Sequence, residues 1–310
     1  MGEVKQWLDS CVSVKDILSG PSRILYSVPG TTLLLEALEF MSQHRLTAIP
    51  VSSASGDVLG FVDNVDILKH FCKGLDIVEK LDSWRASDLE SPAVNVPISS
   101  LLGRNPTIEI EETAKAGELL RFFVEKNVHR ALVKNSSVSE IKEASKDNLV
   151  VCSQSDVIRF LASKLASKSE SVLNACSEVV IDEKIPEKDL VTIPESSTLL
   201  EVVSLMGKKN VSCLGITDSS GVLIGEFAAS DLRGIGHIDA ALLNKRSIDF
   251  IREKSASSDP AILFQGAASV SAVLQMLANL RVHRVWIVNS ERKPVKIITL
   301  TDALKSLSTM

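Results

Sequence analysis

Two stretches of this sequence repeat one combination of side chains that could hold a phosphate-bearing ligand. Each stretch has a His-Arg pair and, further along, a hydroxyl residue three positions before an aspartate. The residues are His129, Arg130, Ser153 and Asp156 in the first stretch, and His283, Arg284, Thr299, Thr301 and Asp302 in the second. A guanidinium offers forked donors that suit phosphate, and a neighbouring imidazole adds another donor. The combination indicates anion binding, and its recurrence indicates internal duplication.

Helix starts would support this chemistry. Backbone amides at a helix N-terminus favour an anion, and Ser153 or Thr299 would add a hydroxyl there. An aspartate one turn further on could accept hydrogen bonds from ribose hydroxyls, as acidic residues do in dinucleotide folds. Simpler interpretations stay open, because an arginine after a helix can interact with the helix dipole. Likewise, an aspartate at a helix start can be a cap.

The order strand, helix, strand, strand, helix recurs four times. In the first copy, apolar residues fall at i, i+3, i+4 and i+7, which predicts one buried helical face; they are Leu34, Ala37, Leu38 and Met41. The same pattern places repeats at residues 10–72, 96–163, 184–236 and 255–308. Short leading segments, 14–18 and 98–102, open the first two copies in chain order.

Three segments fall outside the repeated pattern. Residues 134–148, rich in Ser, Lys and Glu, read as a mobile surface loop inserted between two strands of the second repeat. Residues 73–95 connect the first two repeats, with helical character over 77–81. Residues 164–185, rich in Ser, Lys and Glu apart from a short apolar piece, are predicted to link one pair of repeats to the next.

Composition excludes several classes of function. The chain has 310 residues, of which 45% are hydrophobic, and a formal net charge of -5, whereas sequence-independent nucleic-acid binding needs a basic footprint. Five scattered cysteines show neither metal-site spacing nor a disulfide framework. No signal peptide or membrane span is predicted, so a cytoplasmic or nuclear protein is expected. No nucleophile and base stand together, so the chain is not predicted to be an enzyme.

On these residues the chain resembles proteins with four CBS domains, in particular the gamma regulatory subunit of AMP-activated and sucrose-non-fermenting-type protein kinases. Residues 43–51, which include His44 and Arg45, also resemble the gamma type. The resemblance implies an α/β (α+β CBS-type) fold in which four repeats form two pseudo-twofold pairs, or Bateman modules, within a disc. It implies AMP, ADP or ATP as ligand, no covalent cofactor and no metal. The implied ligand residues are His44, Arg45, His129, Arg130, Ser153, Asp156, His283, Arg284, Thr299, Thr301 and Asp302.

The same resemblance implies a kinase complex. The partners would be an alpha-type catalytic subunit and a beta-type scaffold subunit, with no nucleic acid or membrane involved. A stand-alone CBS protein shares the same sequence signals, so the sequence leaves that choice open.

Repeats 1 and 3 depart from the pattern. The hydroxyl position is occupied by Asp63 in repeat 1 and by Ala228 in repeat 3, and repeat 3 has Lys209 and Asn210 where a His-Arg pair is expected. Fewer functional sites than clefts are therefore expected. The alternative to a nucleotide sensor is a CBS scaffold whose nucleotide clefts have largely decayed.

Overall fold

Four three-stranded sheets, all with the same topology, organise the chain. The structure is a computed structural model that describes residues 2–19, 24–76, 95–103, 107–126, 128–134, 149–181, 185, 189–232, 240–254 and 259–310. In each sheet the first strand pairs in parallel with the second, and the second pairs antiparallel with the third. A helix connects each parallel pair, because parallel strands need a long crossover.

Each repeat contributes one sheet. The strands are β1 Val28–Pro29, β2 Ala48–Ser52 and β3 Val58–Asp63 in repeat 1; β4 Glu109–Glu111, β5 Arg130–Lys134 and β6 Leu149–Ser153 in repeat 2; β7 Thr192–Pro194, β8 Cys213–Thr217 and β9 Leu223–Ala228 in repeat 3; and β10 Ile262–Phe264, β11 Arg284–Val288 and β12 Pro294–Thr299 in repeat 4. The predicted strands agree with these bounds to within a few residues, except that β1 is much shorter than predicted.

Helices cover the sheets and fill the connections. They are α1 Glu3–Ser10, α2 Val14–Leu18, α3 Leu34–Gln43, α4 Asn64–Asp76, α5 Ala116–Glu125, α6 Gln154–Ala166, α7 Ser171–Cys176, α8 Leu199–Lys209, α9 Ala240–Leu243, α10 Ser247–Lys254, α11 Val270–Asn279 and α12 Leu300–Thr309. Within the described residues, 3₁₀ turns span Ile98–Leu101 and Ala229–Leu232.

The predicted apolar helix faces form the core. Leu34, Ala37, Leu38 and Met41 on α3 are each at most 2% exposed, and the corresponding residues of α5, α8 and α11 are buried as well. At the start of α8, the Thr198 hydroxyl accepts a hydrogen bond from the Glu201 amide, and the Glu201 carboxylate accepts one from the Thr198 amide. This is the capping box that the sequence predicted. The predicted α/β architecture of four repeated units is confirmed.

The chain divides into two compact units, and each contains alternate rather than consecutive repeats. Unit 1 comprises Met1–Leu25, Thr107–Leu190 and Pro260–Met310, which holds repeats 2 and 4. Unit 2 comprises Tyr26–Pro106 and Val191–Asp259, which holds repeats 1 and 3. In unit 1 the helices α6 and α11 pack on each other, and in unit 2 the helices α4 and α8 do the same.

In unit 1 each leading segment packs against a repeat other than the one that it precedes in sequence. The amide of Val14, at the start of α2, donates to the carbonyl of Ala114 at 2.9 Å, which joins this segment to repeat 2. The amide of Ile181 donates to the carbonyl of Ala268 at 2.9 Å, which joins residues 180–181 to repeat 4. Both segments precede a repeat of unit 2 along the chain.

Unit 2 shows the matching arrangement. The amide of Ile98 donates to the carbonyl of Thr32 at 2.8 Å, so the 3₁₀ turn Ile98–Leu101 packs with repeat 1. The amide of Ser247, at the start of α10, donates to the carbonyl of Ser197 at 2.9 Å, which joins α10 to repeat 3. Each leading segment therefore packs with a repeat other than the one that follows it in the sequence. The exact repeat boundaries remain predictions.

Part of the predicted linker is core. Within residues 164–185, α6 continues to Ala166 and α7 occupies Ser171–Cys176. Leu173 is 0% exposed and Ile181 2% exposed, both in the core of unit 1. The prediction that this segment is a linker is therefore wrong for its described residues, because its apolar side chains supply core contacts. Of the predicted loop at residues 134–148, Lys134 is the last residue of β5, and residues 135–148 lie outside the described residues. The helical character predicted at 77–81 also lies outside them.

One buried hydroxyl in unit 2 has no hydrogen-bond partner among the described residues. Ser247 is 0% exposed, and its Oγ is unsatisfied. The three other leading segments place a buried apolar residue at this position, namely Val14, Ile98 or Ile181. A buried polar group without a partner costs about 1–3 kcal/mol.

We expect Ser247→Ala to raise the free energy of unfolding by about 1 kcal/mol, since it removes the unsatisfied hydroxyl. Urea unfolding followed by circular dichroism measures the change. The matched control is Ser269→Ala, since the Ser269 side chain caps α11 by accepting from the Ala272 amide at 3.2 Å. This control should lose about 1 kcal/mol. A loss of stability in Ser247→Ala would show that the hydroxyl is satisfied.

Candidate functional site

Strand register brings the predicted arginines and hydroxyls together in unit 1. In repeat 2, Arg130 at the start of β5 stands directly opposite Ser153 at the end of β6. In repeat 4, Arg284 at the start of β11 stands opposite Thr299 at the end of β12. Ser153 and Thr299 are also the N-cap residues of α6 and α12. Each pair of strands therefore places a guanidinium-bearing residue beside a hydroxyl and a helix start.

A backbone hydrogen bond fixes each His-Arg pair against the helix start. The amide of Gln154, the first residue of α6, donates to the carbonyl of His129 at 3.1 Å. In repeat 4 the amide of Leu300 donates to the carbonyl of His283, also at 3.1 Å. These bonds use one amide of each helix start, leaving fewer backbone donors for an anion than the sequence suggested.

Both aspartates act as caps in this structure. In repeat 2, the Oδ2 atom of Asp156 accepts from the Ser153 amide at 2.7 Å and from the Ser153 hydroxyl at 2.6 Å. In repeat 4, the Oδ2 atom of Asp302 accepts from the Thr299 amide at 2.9 Å and from the Thr299 hydroxyl at 2.6 Å. The capping interpretation that the sequence left open is therefore confirmed for both residues, while their contact with ribose stays a prediction.

These caps determine what the hydroxyls can offer. A hydroxyl has one proton, and Ser153 and Thr299 both donate theirs to an aspartate. In this arrangement they can accept hydrogen bonds but cannot donate one to a phosphate oxygen. The arginines and histidines are then the predicted phosphate donors, and the hydroxyls can help only if they leave the carboxylates.

The two sites differ in burial. Arg284 is 8% exposed, whereas Arg130 is half-buried and His129 is exposed. Asp156 is 5% exposed, and its Oδ1 atom accepts from Arg159 Nη2 at 2.5 Å. Repeat 2 thus offers a half-buried arginine beside a carboxylate that Ser153 and Arg159 hold, and repeat 4 offers a buried arginine.

A side-chain hydrogen bond joins the two helix starts of unit 1. The hydroxyl of Thr301, the second residue of α12, donates to Oε1 of Gln154 at 3.1 Å. Sequence reasoning predicted Thr301 as a ligand residue but did not identify Gln154. Its burial beside a strand end is a tertiary feature without a local sequence signal.

A CBS-domain family model matches residues 14–73, 177–236 and 254–309, which together make up more than half of the chain. The chain belongs to the CBS-domain family. No separate match covers repeat 2, although its sheet has the same topology as the other three.

Individual relatives extend this likeness over nearly the whole chain. The Arabidopsis thaliana protein named SNF1-related protein kinase regulatory subunit gamma-like PV42b is 23% identical, over 94% of this chain and 93% of its own length. Protein SDS23 of Candida glabrata is 22% identical, over 87% of this chain but only 52% of its own length. The crystal structure of MJ1225 from Methanocaldococcus jannaschii, proposed to be an archaeal homologue of g-AMPK, covers 95% of this chain and 99% of its own with a TM-score of 0.70 and 21% identity.

The CBS repeats of unit 2 lack the arginine–hydroxyl pair. In repeat 1 the first residue of β2, Ala48, stands opposite Asp63, and in repeat 3 Cys213 stands opposite Ala228. Asp63 and its neighbour Asp66 are 7% and 3% exposed, so carboxylates occupy the place where an anion would bind. The two complete CBS repeats thus share unit 1, and the two degraded repeats share unit 2.

His44 and Arg45 do not occupy the His-Arg position of the complete repeats. The amide of Asn64 donates to the carbonyl of Thr47, so Thr47 and Ala48 are the structural counterparts of His283 and Arg284. The His44 ring stacks on Tyr26 with centroids 4.2 Å apart and lies 4.4 Å from the Phe40 ring. The exposed Arg45 has φ 54°, as does Asn210 in repeat 3.

The same comparison corrects the residues predicted to stand at the His-Arg position of the third CBS repeat. The amide of Ala229 donates to the carbonyl of Ser212, so Ser212 and Cys213 occupy the His-Arg position, rather than Lys209 and Asn210.

A basic pair in the same unit, Lys245 and Arg246, forms ion pairs with Glu253 and Asp249. That pairing offsets its charge.

Other classes of site find no support in the described part of the chain. Those residues contain no group of three or more His, Cys, Asp or Glu side chains that could hold a metal ion. Among the described helices, none has the length and apolar character needed to span a membrane.

We expect Asp156→Ala to lower the free energy of unfolding by about 1–2 kcal/mol without any ligand, because it removes the cap from α6. Urea unfolding of the nucleotide-free protein measures this loss. Asp189→Ala serves as the control, since Asp189 is exposed and lies outside both helix starts. Equal stability of the two variants would contradict the structural role of the cap.

Proposed function

We propose that this CBS protein is a non-catalytic regulatory subunit that binds AMP, ADP or ATP in unit 1 and modulates a protein kinase. The observation that carries the proposal is the pairing of Arg130 with Ser153 and of Arg284 with Thr299 at two helix starts of one unit. Guanidinium groups and helix N-termini are both suited to phosphate. The likeness to the gamma-like PV42b protein over nearly the whole chain supports a kinase partner.

Ligand recognition divides between charged and neutral groups. His129, Arg130, His283 and Arg284 would face the phosphates. Ser153, Thr299 and Thr301 donate their protons within the chain, so they suit ribose hydroxyls or the adenine amino group, which are donors. Asp156 and Asp302 would accept hydrogen bonds from the ribose hydroxyls, using carboxylate lone pairs that the cap bonds do not occupy. His44 and Arg45 are left out of this site because they lie away from the strand start.

The second candidate is a CBS scaffold that binds its partner without nucleotide. Unit 2 favours it, since Asp63 and Ala228 replace the hydroxyl in repeats 1 and 3. The two candidates make different predictions for unit 1 alone. A sensor needs unit 1 to bind nucleotide, whereas a scaffold does not.

Thermal unfolding with AMP, ADP and ATP added in turn separates the two candidates. A ligand at 100 times its dissociation constant stabilises the native state by about 2.7 kcal/mol, a shift that a melt resolves. We expect a clear increase in Tm with at least one nucleotide. No shift with any of the three would favour the scaffold.

We expect Arg130→Ala and Arg284→Ala each to weaken nucleotide binding about tenfold, because each removes a charge-assisted hydrogen-bond donor. Isothermal titration calorimetry measures the affinities. Arg284→Lys is included because the nearly buried Arg284 could also stabilise the fold, and lysine keeps the charge without the fork. The control is Arg281→Ala, an exposed arginine of the same repeat. Full affinity in both alanine variants would overturn the assignment of these arginines.

The kinase partnership needs its own test. The full chain would be co-expressed with an alpha-type catalytic subunit and a beta-type scaffold subunit of a sucrose-non-fermenting-type kinase, and complex formation followed by size-exclusion chromatography. A ternary complex whose kinase activity changes with AMP or ATP, and no longer does so with Arg130→Ala, is the expected result. Separate elution of the chain in every combination would contradict the partnership.

A further inference from the structure

The buried side chain of Gln154 contacts both complete CBS repeats. Gln154 is 2% exposed and is the first residue of α6. Its Nε2 atom donates to the carbonyl of Val128 at 3.1 Å, and its Oε1 atom accepts from the Thr301 hydroxyl at 3.1 Å. Val128 immediately precedes His129 and Arg130 in repeat 2, whereas Thr301 lies beside Asp302 in repeat 4.

The orientation of this amide follows from its neighbours. A carbonyl oxygen only accepts hydrogen bonds, so the nitrogen of the Gln154 amide must face Val128. The amide oxygen must then face Thr301, and Thr301 must be the donor. This sequence of bonds fixes the direction of the Thr301 proton without reference to any ligand.

The link is one-sided. The counterpart of Gln154 in repeat 4 is Leu300, and the counterpart of Thr301 in repeat 2 is Ser155, because α12 and α6 start at equivalent positions. A leucine side chain has no polar atom, so the Leu300–Ser155 pair cannot form the same bond. Gln154 is therefore a feature of one repeat and not a requirement of the CBS topology.

Gln154 also holds the backbone that carries the repeat 2 ligands. Its own amide donates to the carbonyl of His129 at 3.1 Å, while its side chain holds the carbonyl of Val128. If ligand binding at repeat 2 moved the Val128–Arg130 backbone, the Gln154 side chain would move with it and shift Thr301. Thr301 lies between Leu300, which is bonded to His283, and the cap residue Asp302.

We infer that Gln154 is a positioning residue that couples the nucleotide sites of repeats 2 and 4, so that binding at one strengthens binding at the other. The inference rests on the proposed nucleotide-binding function. Coupling between two sites is reciprocal, and measured couplings begin at about fivefold in affinity. A fivefold effect is therefore expected for a link made by one hydrogen bond.

The test is calorimetric titration of the 310-residue chain with AMP, and with ADP and ATP in parallel. The wild type should bind two molecules, the second about fivefold more tightly than the first after statistical correction. Gln154→Leu, which introduces the residue found in repeat 4, should bind two molecules independently. Thr301→Val should also abolish the coupling, and combining the two changes should have no further effect on it.

The matched control is Ser155→Ala, which changes the counterpart of Thr301 and should keep the coupling. Urea unfolding of all variants shows which of them remain folded, and a folded Thr301→Val tests the link even if Gln154→Leu is unstable. Equal cooperativity in the wild type and both folded variants, or independent binding in the wild type, overturns the coupling alone. No binding of any of the three nucleotides to the wild type overturns the proposed function and the coupling with it.

Discussion

The structure depends on one backbone hydrogen bond that recurs in every CBS repeat. The amide at the start of the closing helix or 3₁₀ turn donates to the carbonyl of the residue before the middle strand. The four donor–acceptor pairs are Asn64–Thr47, Gln154–His129, Ala229–Ser212 and Leu300–His283. With the antiparallel register beside it, this bond sets the first residue of the middle strand next to the helix start. Whether a repeat can hold an anion then depends on which side chains stand at those positions.

Local sequence patterns predicted the elements well, because each depends on contacts within a few turns or residues. The apolar spacing of Leu34, Ala37, Leu38 and Met41 is sufficient to identify the buried face of α3. The His-Arg pairs were harder to place, since the residue types alone do not specify a position relative to the strand. His44 and Arg45 have the expected side chains but directly follow the helix, while Thr47 and Ala48 occupy the strand start.

The pairing of repeats 2 and 4 could not be predicted in the same way. The helix faces of all four repeats consist of similar aliphatic residues, so their composition does not indicate which two faces pack together. The sequences of the leading segments do not indicate which repeat they pack against either. From the sequence alone, Val14 could equally begin repeat 1 or pack with Ala114 in repeat 2. Their placement is tertiary information. It gathers both complete repeats into unit 1, where we propose that nucleotide binds.

The capping boxes of unit 1 set an energetic condition on ligand binding. Moving the hydroxyl proton of Ser153 or Thr299 from its aspartate to a phosphate would break the hydrogen bond from that hydroxyl to the aspartate Oδ2 atom. The hydroxyl–carboxylate bond and the hydroxyl–phosphate bond that would replace it are both charge-assisted, and each contributes about 1.5–3 kcal/mol, so the exchange is close to neutral for a charged ligand and unfavourable for a neutral one. A ligand shifts a conformational equilibrium only as far as its affinities for the two states differ. Because α6 and α12 start at these caps, and Gln154 joins the two starts, the coupling that we infer predicts that release of one cap changes the free energy of ligand binding at the other site.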